Sequence, residues 1–197
     1  MKKKIFIIIY FVFAFAKSSF AYDSNPEIFI AEIIKEAKTI LVDSNSKEYK
    51  AKQLSEMAIK AVDIKMIANY SIGNYKKTLS EDQLKKYFSL FEGYFLKSFT
   101  SRLTDYSEPK ITVLSSQVLN TKFTMVNSLL LADDKKPEVK IDWRVSTKNS
   151  EKPLIVDLIV EGLSLARATK EEFASVIESN DGDVTKLFDT LREFVSK

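Results

Sequence analysis

The chain has 197 residues, 30 Lys and Arg against 27 Asp and Glu, no Cys, no His and four Gly. A disulfide, a thiolate nucleophile, an imidazole base, a Ser-His-Asp triad and a Gly-rich phosphate loop are therefore excluded. Lys2, Lys3, Lys4 and Lys17 fall in the first 21 residues, which hold no acid; the remainder has 26 bases and 27 acids, without the clustered basic excess by which a protein neutralises nucleic-acid phosphates.

Met1-Lys-Lys-Lys is followed by twelve apolar residues, Ile5 to Ala16, and then by Lys-Ser-Ser-Phe-Ala with Ser19 and Ala21 at the −3 and −1 positions. A charged start, a short apolar stretch and a small-residue site predict a secretory signal peptide over residues 1–21, cleaved after Ala21. Twelve apolar residues fall short of the roughly 20 that a membrane-spanning helix needs. The mature chain, residues 22–197, reads as one domain outside the cytoplasm, and the absence of Cys leaves no residue for a lipoprotein anchor.

Asn25-Pro26-Glu27 is a helix start: Asn as cap, Pro where its missing N–H costs nothing, and an acid at the positive end. A helix of about 17 residues follows, with Phe29, Ile30, Ile33, Ile34, Ala37, Ile40 and Leu41 on one stripe. A second helix is predicted from Ser46 to about Val62. Asp63 caps a short third one through Tyr70, closed by Gly73. Ser80-Glu-Asp-Gln83 is a capping box, and the helix it opens is predicted to reach about Asp105, roughly 26 residues or near 39 Å.

The apolar period then changes to two. Ile111 to Asn120, Lys122 to Leu131, Val139 to Thr147 and Leu154 to Gly162 are predicted strands, and the short polar loops between them favour an antiparallel meander. Val139, Ile141, Trp143 and Val145 alternate with Lys140, Asp142, Arg144 and Ser146, giving one apolar and one wet face. Thr169-Lys-Glu-Glu172 reads as another capping box, opening a helix with Phe173, Val176 and Ile177 inward; Asp181-Gly182-Asp183 interrupts, and Val184 to Val195 forms the last helix. Helices, then strands, then helices predict an α+β domain. Asp157, Glu161 and Asp142 are the strand carboxylates available as bases, and surface pairing or strand-end hydrogen bonding is the competing role for each.

Three stretches stand out in order: Asp63-x-x-Met66-x-x-x-Tyr70-Ser-Ile-Gly73-x-Tyr75, Leu79-Ser-Glu-Asp-Gln83-x-x-x-Tyr87-Phe88-x-x-Phe91, and Val156-Asp157-x-x-Val160-Glu161-Gly162-Leu163-Ser164-Leu165 with Phe173. Together they resemble the MlaC, or toluene-tolerance, family of periplasmic phospholipid-binding proteins. Pro153 stands where the family commonly has Trp, and Thr169-Lys170 where it commonly has Tyr-Arg; Lys keeps the charge but loses the forked geometry of Arg. The resemblance implies a curved four-stranded antiparallel sheet, NTF2-like or cystatin-like, packed with helices around an apolar pocket.

It also implies the work: carrying phospholipid, as cargo rather than cofactor, between an outer-membrane lipoprotein–porin complex and the substrate-binding subunit of an inner-membrane ABC transporter, which maintains outer-membrane lipid asymmetry. No metal, catalytic residue or nucleic acid is implied, and a diffusing carrier is expected to be a monomer. Burying two tails of about 16 carbons is worth roughly 25 kcal/mol gross against water, whereas transfer from a bilayer to an apolar pocket is close to neutral. Under this reading Tyr75, Phe91, Phe95, Val113, Val126, Val139, Ile141, Trp143, Leu158 and Val160 line the pocket, and Lys170 meets a head group or a partner. A ligand-free secreted interaction module and a cone-fold enzyme are the alternatives.

Overall fold

In the computed structural model, which describes residues 22–104, 109–132 and 137–197, helix α1 spans Pro26–Val42, α2 Lys47–Ala61, α3 Ile64–Ile72 and α4 Glu81–Leu103, with a short 3-10 helix at Gly73–Thr78. Caps set these boundaries. The Asn25 side chain accepts from the Glu27 and Ile28 amides, Ser46 from Tyr49, and Asp63 from Met66. At Ser80 both halves of the capping box are formed. The predicted signal peptide lies outside the described residues, as does Asp105, the expected end of α4. Among the described residues no helix is long and apolar enough to cross a membrane.

Strands β1 (Ile111–Asn120), β2 (Phe123–Leu130), β3 (Val139–Ser146), β4 (Leu154–Val160) and β5 (Leu163–Ser164) form one antiparallel meander in chain order. The count corrects the expected four: Glu161 and Gly162, at φ 49° and 81°, turn the chain tightly enough for Leu163 and Ser164 to pair back on Val160 and Ile159. Extra residues at Leu114 and Leu119 in β1 and at Val156 in β4 break the register, and such bulges bend a strand and increase its twist. Among the described residues no strand pairs with the outer edge of β1, and its ten residues carry no charge.

Helix α5 spans Leu165–Glu178 and α6 Val184–Ser196. The predicted capping box at Thr169 is not a helix start. Ser164 caps α5 five residues earlier through the Arg167 amide, and Thr169 lies inside the helix, its hydroxyl donating to the Leu165 carbonyl. What fixes the earlier start is Asp157, 4% exposed on β4, which accepts from the Ser164 hydroxyl at 2.6 Å and from the Ala166 amide at 3.1 Å.

Two cores result. One joins α3 to α6 around Ile67, Ile72, Tyr87, Phe91, Phe173, Ile177, Leu187, Phe188 and Leu191. The other places Phe29, Ile30, Ile33 and Leu41 of α1 and Leu54, Met57 and Ala61 of α2 against Val126, Val145 and Ile155 of the sheet. Helix α4 belongs to both: Phe88, Leu90, Tyr94 and Phe95 pack on the helical core, and Phe99 and Leu103 on the sheet core. The cores also meet at Val62, where the Asp63 amide donates to the Ile155 carbonyl at 2.9 Å.

Candidate functional site

A period of two sends alternate side chains of a strand to one face, and the register shows which of them become neighbours. Ser116, Val126, Trp143 and Leu158 form one row across β1 to β4, Val113, Ser128, Ile141 and Val160 the next, and Ile111, Leu130 and Val139 a third. All seven sheet positions singled out in the sequence thus share the face that packs on α1 and α2. Burial along it is graded. Val126 is fully enclosed, whereas Val113, Val139, Ile141, Trp143, Leu158 and Val160 are half-buried.

Trp143, the only tryptophan, is held across the rows. Its indole Nε1 donates to Ser128 Oγ at 2.9 Å, and that hydroxyl donates to the Ile141 carbonyl at 2.8 Å. A polar residue inside an apolar alternation gave no reason to single out Ser128, yet it is 1% exposed and fixes the largest side chain of the face.

On α4 the rings of Phe91, Phe95 and Phe99 recur every four residues and lie face to face, at 6.4 Å and 19° for the first pair and 6.0 Å and 6° for the second. This row runs from the helical core to the sheet core. Phe91 is enclosed among Tyr87, Tyr94, Phe95 and Phe173, and Phe95 is half-buried. Phe99 continues the row and was legible from the same spacing, although it was not among the expected lining residues.

Tyr75 and Lys170 stand apart from the sheet face. Tyr75, on the 3-10 helix, packs on the helical core and donates its hydroxyl to Glu178 at 3.3 Å; partial burial, then the Glu178 carboxylate, raise its phenol above the ordinary value. Lys170 is exposed and lies in the second turn of α5, not in the first turn that the predicted capping box implies. Its ammonium lies 5.1 Å from the Tyr70 ring centre, and its Cε sits 3.1 Å from where a Cβ on Gly73 would stand. With φ at 57° the backbone calls for glycine at this position, and the end of the Lys170 side chain fills the space beside it.

The strand carboxylates are engaged in structure. Asp157 holds the start of α5 and lies 3.6 Å from Arg144, Asp142 accepts from the Asn127 amide group at 2.8 Å, and Glu161 accepts from the Lys140 amide. Two clefts lie in the helical layer. One, about 200 Å³, is bordered by Tyr94, Arg102, Glu172 and Phe194; the other, about 270 Å³, by Ile64, Lys65, Lys85 and Phe88. Both are smaller than the roughly 300–1,000 Å³ usual for a ligand pocket, and neither includes any of the seven sheet positions.

Comparison with known proteins bears on this geometry. No curated protein matches the chain. Among solved structures, a phospholipid-binding protein from Ralstonia solanacearum, determined in complex with a phospholipid, superposes with a TM-score of 0.72 over 88% of this chain and 97% of that one, at 19% identity. At that identity the likeness establishes a shared fold. The family model for MlaC protein matches residues 30–193, which spans the helical core, all of the sheet core but its first residues, and all five strands, and the chain therefore belongs to the MlaC family.

Proposed function

We propose that this protein is a periplasmic phospholipid carrier. It shields acyl chains between the half-buried sheet face of Val113, Val139, Ile141, Trp143, Leu158 and Val160 and the phenylalanine row of α4, with Val126 as the floor. The observation that carries the reading is that face: adjacent apolar side chains in register, only partly covered by their own helices, in a family member whose fold matches a protein solved with phospholipid bound. The function requires no bond chemistry, consistent with the structural engagement of Asp142, Asp157 and Glu161. Cleavage after Ala21 delivers the domain to the periplasm, where it exchanges lipid as a monomer with an outer-membrane lipoprotein–porin complex and with the substrate-binding subunit of an inner-membrane ABC transporter.

Organic extraction of the purified mature protein followed by mass spectrometry is expected to recover roughly one diacyl phospholipid per chain. Finding none, together with no uptake from liposomes, refutes the carrier reading. Val160→Glu puts a carboxylate beside Ile141, where desolvating an unpaired charge costs several kcal/mol. Lipid recovery should fall to background while circular dichroism stays that of a folded protein. Undiminished lipid in this variant places the cargo on some other surface.

A further inference from the structure

The first described residue is already fastened to the fold. The Tyr22 hydroxyl donates to Glu36 Oε2 at 2.6 Å, its ring meets Phe29 edge-on at 5.5 Å, and the Asp23 amide donates to Glu32 Oε2 at 2.9 Å. The next turn of chain is fixed as well, since the Asn25 amide donates to Asp23 Oδ1 at 2.7 Å and Asn25 itself caps α1. Every one of these partners lies on α1 or in the short segment that leads into it. Tyr22 packs on the sheet core, so the anchoring joins the chain start to the layer that carries the candidate lipid face.

Standard backbone dimensions put the nitrogens of consecutive residues at most roughly 3.7 Å apart. The Tyr22 nitrogen therefore lies within about 6.6 Å of the Glu32 carboxylate, given the 2.9 Å contact at Asp23. In the unprocessed chain that nitrogen is a neutral amide. Once the bond between Ala21 and Tyr22 is hydrolysed, it becomes an α-ammonium no more than about 6.6 Å from that carboxylate, at the outer edge of the roughly 4–6 Å over which an opposite charge favours the charged form.

We propose that Glu32 is a receptor for the new N-terminal ammonium, with Glu36 holding the Tyr22 ring, so that removal of the leader itself tightens the attachment of residues 22–25 to α1. The hydrolysis adds water across the peptide bond, leaving a carboxylate on Ala21 and an ammonium on Tyr22. Glu36 is occupied by the phenol, whereas Glu32, which accepts from the Asp23 amide, keeps lone pairs to spare for the ammonium. The charged groups acting on Tyr22 are these two, Glu36 more strongly than Glu32, and both raise its phenol above the ordinary value in addition to burial. The phenol thus stays protonated as the donor to Glu36 throughout the range in which the amine titrates.

This inference rests on cleavage after Ala21 but not on lipid carriage, and its test separates the two. Intact mass of the protein isolated from the periplasm gives the start of the chain, and a start other than Tyr22 overturns the proposal. The pH dependence of the rate at which the α-amine is acylated then gives its pKa. A value at least about half a unit above the ordinary 7.7–8.0 is expected, and Glu32→Gln should lower it. An ordinary value in the unsubstituted protein, or a raised value that Glu32→Gln does not move, overturns the proposal. Lipid content measured on the same preparation should be unchanged by Glu32→Gln, which keeps failure of this proposal distinct from failure of the carrier reading.

Discussion

Ser128→Ala tests the architecture of the sheet face most directly, because one hydroxyl serves both as acceptor for the Trp143 indole and as donor to the Ile141 carbonyl. Removing an oxygen leaves almost no void, so the cost comes from the polar groups left behind. The indole N–H would be stranded among apolar side chains at a cost of about 1–3 kcal/mol. Trp143→Phe removes the donor itself. In that background Ser128→Ala should cost no more than about 1 kcal/mol, since only the bond to the carbonyl is lost. The two substitutions should therefore be less than additive by roughly 1–2 kcal/mol, within the range seen for residues in direct contact. Urea unfolding followed by far-ultraviolet circular dichroism measures all four proteins without relying on tryptophan emission, and a constant m-value shows that only stability has changed. Additivity within about 0.5 kcal/mol would mean that the Ser128–Trp143 bond carries no energy, and the reasoning about the face would fall.

Further outcomes follow from two buried hydroxyls. Tyr87 is fully buried and donates to the Ala68 carbonyl at 2.9 Å, and burial raises its phenol above the ordinary value. Because the folded state favours the neutral form, this contribution is fully present below about pH 10 and declines as pH rises further. Tyr87→Phe should cost about 1 kcal/mol at neutral pH and lessen the loss of stability between pH 9 and roughly 11; equal alkaline slopes in both proteins would contradict this. Ser71 Oγ, on α3, is the one buried side-chain oxygen or nitrogen without a partner among the described residues. Ser71→Ala removes that desolvation penalty and improves helix propensity, so a gain of about 0.5–1 kcal/mol is expected as a higher melting temperature, and a lower one would show that the hydroxyl is satisfied.

Much of this was legible in the sequence because the signals are local. Asn25, Ser46, Asp63 and Ser80 announce their helices through side-chain oxygens that reach amides two or three residues away, and Val139 to Ser146 declares its two faces by alternation alone. The start of α5 was misread because Thr169 and Glu172 have the local form of a cap, while the controlling residue, Asp157, acts from a neighbouring strand. The fifth strand is two residues long, too short for any period, and exists because Glu161 and Gly162 adopt positive φ. The shared face of the seven sheet positions was inferable from parity once the strands were placed. The role of Ser128 was not, because its partner Trp143 is fifteen residues away and the link depends on register across two strands.

The bulges at Leu114 and Leu119 have a meaning for colloidal behaviour. A ten-residue edge without charge or proline is the kind of template on which another chain can add, and here Leu114 is 56% and Val118 73% exposed beside it. No like-charge repulsion is available along the strand, and the bulges, which bend and twist it, oppose the docking of a flat partner. Deleting Leu119, an exposed leucine, would remove apolar surface and yet straighten the edge, making the protein stickier. Resistance to edge-to-edge pairing is therefore written in the twist of a strand, where the charge count with which the sequence opens has nothing to say.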